Sequence, residues 1–109
     1  MNYNLPNDIK MQCVWIVRVY ERIMEQDKPA PAAFRQAQAV DRALDLVAEE
    51  SPQELRDQVR RALFLSWQEG DRMENIDKGM PTGRFYKTRQ RVLYEIAAEL
   101  GLVSDNGRF

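Results

Sequence analysis

The chain has 109 residues, of which 44% are hydrophobic and 30% are charged, and its formal net charge is -1. This composition is ordinary for a single soluble domain with one hydrophobic core. No apolar run approaches the roughly 18 residues that a membrane span requires, and the N-terminus lacks the pattern of a secretion signal, so we expect a cytoplasmic protein without a membrane partner.

The cysteine and histidine content excludes several kinds of chemistry. Cys13 is the single cysteine, and the chain has no histidine. An internal disulfide, a zinc site of Cys and His ligands and histidine-dependent catalysis are therefore ruled out. Because no enzyme motif is complete, we expect neither catalysis nor a cofactor. Cys13 lies on an apolar helix stripe, which favours inert core packing over the alternative of a reactive thiol.

The first predicted helix follows Pro6, Asn7 and Asp8. Its apolar residues repeat at alternating spacings of four and three, which indicates one buried face: Ile9, Cys13, Ile16, Tyr20 and Ile23. A second stripe runs down another side of the helix and contains Met11, Trp15 and Val19. We favour burial of this second stripe inside the monomer, and the alternative is a contact with a second protein.

A short proline-containing connector, residues 28 to 31, separates this helix from the next. The second helix is predicted from about Ala32 to Glu49, and small residues along it would permit close packing. Its predicted core side contains Phe34, Ala37, Val40, Leu44 and Val47.

A third helix is predicted after Ser51, which can cap it, with Pro52 in the first position and Glu54 completing a capping box. This helix extends to about Gly70. Its predicted buried residues are Leu55, Val59, Leu63 and Trp67.

The last helix is predicted from Thr82, as its cap, to Leu100, with Gly101 in the left-handed position that follows many helices. Residues 71 to 81 fit either one short helix or an irregular turn. Since no segment alternates with period two, we predict an all-α fold: a small bundle of four main helices in one domain. Residues 1 to 69 would form the bundle part, residues 70 to 102 a helix-turn-helix-like unit, and residues 103 to 109 a tail.

The positive charge of the chain is concentrated in residues 78 to 94, which contain five Lys and Arg and no Asp or Glu. On a helical wheel at about 100° per residue, Arg84, Lys87 and Arg91 lie opposite the apolar residues, with Thr88 beside them and Tyr94 on the other flank. Solvated helix faces usually mix both signs of charge. We therefore favour contact with double-stranded DNA, in the manner of a recognition helix, over a surface that serves only solubility.

The apolar side of the same wheel contains Phe85 and Tyr86, which we interpret as core anchors and not as base-stacking residues, together with Val92, Leu93, Ile96, Ala97 and Leu100. It also contains Arg89. Because an unpaired buried guanidinium is costly, we expect Arg89 to meet a carboxylate or to extend its side chain to the surface. The candidate carboxylates are Glu69, Asp71 and Asp77.

Two stretches of the chain resemble the ArpU/RinA type of phage transcriptional regulators. One is GMPTGRFYKTRQRVLYEIAAELGL, residues 79 to 102, with a turn, an aromatic followed by alternating basic residues, and an Ile-Ala-x-x-Leu-Gly ending. The other is the opening LPNDIKMQCVWIVR, residues 5 to 18. The segment from Asp71 to Lys78 departs from the pattern, since it has few apolar positions for the first helix of a helix-turn-helix.

The resemblance implies a helix-turn-helix like that of sigma region 4, which binds a phage or prophage promoter and assists host RNA polymerase in late-gene expression. It assigns DNA contact to Thr82, Arg84, Lys87, Thr88 and Arg91. Because one basic helix makes few phosphate contacts, we expect a homodimer or a second protein such as RNA polymerase to contribute, with Met11, Trp15 and Val19 as the interface. The alternative function is a helical protein-interaction module, for instance a phage packaging or assembly adaptor without sequence-specific DNA binding.

Overall fold

The first helix, α1, spans Asn7–Met24 in the computed structural model, which describes residues 3–68 and 81–103. It begins directly after Pro6, whose carbonyl accepts the first helical hydrogen bond from the Lys10 amide at 2.9 Å. The predicted stripe is confirmed: Cys13, Ile16 and Ile23 are buried, and Ile9 and Tyr20 are partly buried against the same core.

The second helix, α2, spans Pro31–Ala48 and starts at the end of the proline-containing connector. Its buried face is rich in alanine, because small side chains let neighbouring helices approach closely: Ala37, Ala39, Val40, Ala43, Leu44, Val47 and Ala48. Phe34, predicted to be in the core, is instead 40% exposed. It lies in the first turn of α2.

The capping box predicted around Ser51 does not form. Pro52 occupies the N-cap position of a single 3-10 turn, Gln53–Leu55, and no side chain caps that turn. Ser51 is buried, and its carbonyl accepts a hydrogen bond from Nε of Arg56 at 3.3 Å. Helix α3, Arg56–Gln68, follows the turn directly. As predicted, it buries Val59, Leu63 and Trp67.

Helix α4 spans Thr82–Glu99. Pro81 is its N-cap residue, so Thr82 is the first helical residue and not the cap that we predicted. At the other end Gly101 adopts a φ of 74°, and the amides of Gly101 and Leu102 donate to the carbonyls of Ala98 and Ala97. This pair of bonds is the Schellman ending that a left-handed glycine permits, as the position of Gly101 predicts.

The four helices form an all-α bundle around one core, and the described residues contain no strand. Helix α2 packs against α1, α3 and α4, and α1 also packs against α3 and α4. The core therefore combines residues of both parts of the chain that the sequence suggested, from Cys13 and Val17 of α1 to Val92 and Ile96 of α4. Among the described helices, none has the length and apolar character that a membrane crossing requires.

Candidate nucleic-acid interface

The orientation of α4 is determined by its buried face. Phe85, Val92, Ile96 and Ala97 have no exposed surface, so α4 cannot rotate about its axis without disrupting the core. The role of Phe85 as a core anchor is thereby confirmed. The residues opposite this face are the ones that α4 can present to a partner.

Arg84 and Lys87 are exposed in the first two turns of α4, and neither forms an ion pair with any residue that the structure describes. The amino end of a helix also has partial positive charge from its backbone dipoles. Both effects attract anions to this end of α4. A guanidinium and an ammonium here can bind phosphates, and the guanidinium fork also fits the edge of guanine.

Thr88 lies one turn after Arg84 and is half-buried. Its hydroxyl donates to the Arg84 carbonyl at 2.8 Å, so its proton is used within the helix. The side chain of Thr82 is outside the described part of the chain. The structure thus brings Arg84, Lys87 and Thr88 together along one side of α4.

Arg91 forms ion pairs within the described part of the chain, unlike Arg84 and Lys87. It pairs with Glu50 at the end of α2, and its Nε lies 3.6 Å from Oε1 of Glu95. Its guanidinium carbon lies 5.5 Å from the centre of the Tyr3 ring, and its side chain is only 21% exposed. Two carboxylates therefore neutralise the predicted DNA contact at Arg91.

Residues 3 and 4 cover the edge of α4 next to Arg91. The rings of Tyr3 and Tyr94 meet edge to face with their centres 5.3 Å apart, and Gln90 donates to Asn4. Tyr94, which the wheel placed on the flank of the cationic side, is consequently buried. An open hollow of about 430 Å³ remains beside this edge, lined in part by Glu50, Arg84 and Lys87.

Arg89 connects α4 to α3. Its Nε donates to Oγ of Ser66 at 2.9 Å, and its guanidinium carbon lies 4.7 Å from the centre of the Trp67 ring. Burial lowers the pKa of Arg89, and the described residues provide no carboxylate to offset that effect. The predicted partners Glu69, Asp71 and Asp77 lie outside the described residues. Among the described residues, the contacts of Arg89 are a hydroxyl and an aromatic face.

The prediction that Met11 and Trp15 are buried is wrong, because their exposed fractions are 52% and 59%. Val19, the third residue of this stripe, is half-buried. Tyr86, predicted to be a core anchor, is 47% exposed. The helical wheel gave the directions of these side chains correctly, but no helix in the described part of the chain covers Met11, Trp15 or Tyr86.

Met11 and Tyr86 face an open groove of about 440 Å³ between α1 and α4. We call it the α1/α4 groove. Its lining contains three cations, and the described residues contribute no carboxylate to it: Lys10, Met11, Val14, Arg18, Trp67, Tyr86, Arg89, Gln90 and Leu93.

Lys10 and Arg18 were not predicted to be parts of a site. A helical wheel of α1 contains the signal, since Lys10, Val14 and Arg18 fall within about 80° of one another, beside Met11 and Trp15. That this arc is basic and apolar, although Glu21 also falls within it, could be read from the sequence. That it faces α4 could not.

Comparison with protein-family models, with curated proteins and with solved structures found no match to this chain.

Proposed function

We propose that this protein is a DNA-binding regulator of transcription that contacts duplex DNA through the amino-terminal half of α4. The observation that supports this most directly is the exposure of Arg84 and Lys87, without acidic partners among the described residues, on a helix whose other face is locked in the core. A rigid helix with cations at its amino end is the arrangement that major-groove binding uses.

We do not expect the five candidate residues to contribute equally to DNA binding. Arg84 is the candidate for paired contact with guanine or phosphate, and Lys87 for a phosphate. Thr88 and Thr82 are further candidate contacts, and Thr82 lies nearest the amino end of α4. Arg91 could reach DNA only by leaving Glu50 and Glu95, so we assign it the weakest contribution. The resemblance to ArpU/RinA regulators suggests a phage or prophage promoter as the duplex and RNA polymerase as a further partner.

Selection from random duplex DNA at physiological salt tests the proposal. We expect a defined motif to be enriched, and we expect Arg84→Ala to lose the preference at one position of that motif. Lys87→Ala should weaken binding to all sequences and reduce the logarithmic salt slope by about 0.9, the value for one lost phosphate contact.

Arg35→Ala is the matched control for both substitutions. Arg35 is exposed near the amino end of α2, whereas the opposite end of α2 meets α4 through Glu50 and Arg91. This variant should bind DNA as the wild type does. Failure to enrich any motif, or an unchanged slope for Lys87→Ala, would contradict the proposal.

A second candidate function is a helical protein-interaction module, such as a packaging or assembly adaptor. The exposure of Met11 and Trp15 favours it, because exposed Met and Trp side chains are typical of protein interfaces. Under this function, binding to the duplex library would be blind to sequence and sensitive to salt, or would not occur.

A further inference from the structure

The α1/α4 groove combines a set of residues that a solvated surface does not usually bring together. Met11 and Tyr86 on its borders are half exposed, Trp67 and Leu93 form apolar lining, and Trp15 follows Met11 by one helical turn. Trp, Tyr and Arg supply most of the strong contacts in protein interfaces, where Met is also enriched. The groove thus has the side chains of an interface and lies open.

The charge of the groove specifies what could fill it. Lys10 and Arg18 lie on the α1 side and Arg89 on the α4 side, and no described carboxylate lines the space between them. Glu21, the next acid after Arg18 on α1, is not among the lining residues. A partner that presents carboxylates here would be attracted by all three cations, and a basic partner would be repelled.

Arg89 adds an energetic reason. Its guanidinium is half-buried, and among the described residues only its Nε has a hydrogen-bond acceptor, which is the neutral Ser66 hydroxyl. The remaining N–H groups of the fork can therefore bind a carboxylate in the bidentate geometry that guanidinium favours. Removing water from this partly desolvated position would strengthen such a pair.

We propose that the α1/α4 groove binds an acidic amphipathic helix of a partner protein, with an apolar side chain inserted between Met11, Trp67 and Tyr86 and carboxylates facing Lys10, Arg18 and Arg89. The groove volume of about 440 Å³ is in the range of sites that accept a large side chain. Helix-in-groove binding uses this combination of apolar anchors and flanking charges. The proposal does not depend on DNA binding by α4.

The experiment uses the full chain and a display library of random peptides about sixteen residues long, which is long enough for a helix to form on binding. Peptides recovered from the library are then titrated against the protein by tryptophan fluorescence. Both tryptophans of the chain are suitable reporters, since Trp67 lines the groove and Trp15 lies beside it on α1. We expect peptides rich in Asp and Glu, with apolar residues three and four apart, that change this fluorescence on binding.

Two charge-introducing variants locate the binding site. Met11→Glu and Arg18→Glu alter exposed side chains, so the fold should persist, and each should weaken peptide binding by about tenfold or more. Leu46→Glu and Arg35→Glu are the matched controls on α2, where Leu46 is 45% exposed and Arg35 is exposed. Both should bind within about twofold of the wild type, as expected for surface sites outside the contact.

Several results would overturn the proposal. One is a library that yields no binder, or binders without excess acid. Another is a set of binders that tolerate Met11→Glu and Arg18→Glu. A single-stranded oligonucleotide that occupies the groove with the same sensitivity to these variants would assign the groove to nucleic acid. A wild-type dimer in sedimentation that Met11→Glu converts to monomer would assign the groove to a second copy of the chain.

Discussion

Arg89 shows that the neighbouring sequence determines whether a side chain faces the core, but not which residues it contacts there. The spacing of apolar residues on α4 placed this guanidinium on the buried side, and its desolvation cost required a partner. Its partners among the described residues are Ser66 and the Trp67 ring. Because these residues precede Arg89 by more than twenty positions, no pattern local to α4 could identify them.

Replacement of Arg89 tests this contact. Arg89→Ala should reduce the free energy of unfolding by about 1–2 kcal/mol, since it removes a hydrogen bond and packing against Trp67. Arg84→Ala, at an exposed position of the same helix, should change it by less than about 0.5 kcal/mol. Urea denaturation of both variants measures the difference. Equal effects would mean that the contact between α3 and α4 contributes nothing to stability.

Arg91 shows the opposite relation between sequence and structure. Charge was counted over residues 78 to 94, which excluded Glu95 by a single position, although a spacing of four on a helix favours an ion pair. That half of its neutralisation could have been predicted. The contact with Glu50 could not, because it depends on how α2 crosses α4.

At the scale of the element, α4 was the helix whose sequence was most informative. The buried positions Phe85, Val92 and Ile96 and the left-handed Gly101 were all predicted from spacing and residue type. Tyr86, which was expected to be buried, is exposed, and Tyr94, which was expected on the flank of the cationic side, is buried. A wheel gives the direction of each side chain but not the extent of the neighbours, and here residue 3 covers Tyr94 while nothing described covers Tyr86.

A polar cluster joins the first three helices. The Tyr20 hydroxyl of α1 donates to Oδ1 of Asp41 on α2 at 2.6 Å. Arg60 of α3 donates to the same oxygen and to Oδ1 of Asp45, both at 2.7 Å. Desolvation opposes the charge of Arg60, but the hydrogen bond and charge of Asp45, together with Asp41, raise its pKa. Each of these three helices thus contributes at least one residue to a connected hydrogen-bond network.

This cluster predicts a dependence of stability on alkaline pH. Burial, followed by the hydrogen bond and charge of Asp41, raises the pKa of Tyr20 from 10.0 to about 12. The folded state therefore retains the tyrosine proton over a range in which the unfolded state releases it. The stability that this provides is complete below pH 10 and should be lost as the pH rises from 10 to about 12.

Tyr20→Phe is the variant that isolates this effect. Its free energy of unfolding should fall less steeply over the same pH range than that of the wild type, as measured by urea denaturation at several pH values. Burial also raises the pKa of the Cys13 thiol, to about 11, but this contribution is common to both proteins and cancels in the comparison. If the free energies of unfolding of the two proteins fell in parallel as the pH rises, the hydrogen bond to Asp41 would not be what retains the Tyr20 proton.

At the scale of the whole molecule, the sequence predicted the class of fold and most of the core residues, but not the surfaces that the bundle leaves uncovered. The residues of the α1/α4 groove come from the two ends of the chain, and Trp67 comes from its middle. Periodicity describes each helix separately. The groove exists because of the way in which separate helices meet.

The single core predicts a large difference between two phenylalanines. Phe85 has no exposed surface, and Phe85→Ala should reduce the free energy of unfolding by about 3–5 kcal/mol. This is a large share of the roughly 5–15 kcal/mol that stabilises a typical domain. Phe34→Ala, at a position that is 40% exposed, should cost less than about 1 kcal/mol. Thermal unfolding monitored by circular dichroism measures both losses. Similar losses for the two variants would contradict a single core.

The packing of α4 against α1 has a consequence for the synthesis of this protein. Phe85, Val92 and Ile96 fill the same interior as Cys13 and Val17, which the ribosome translates far earlier. Until residue 100 has emerged from the exit tunnel, the hydrophobic faces of α1, α2 and α3 are not fully buried. During that interval the nascent chain would be a substrate for chaperones that recognise exposed apolar segments.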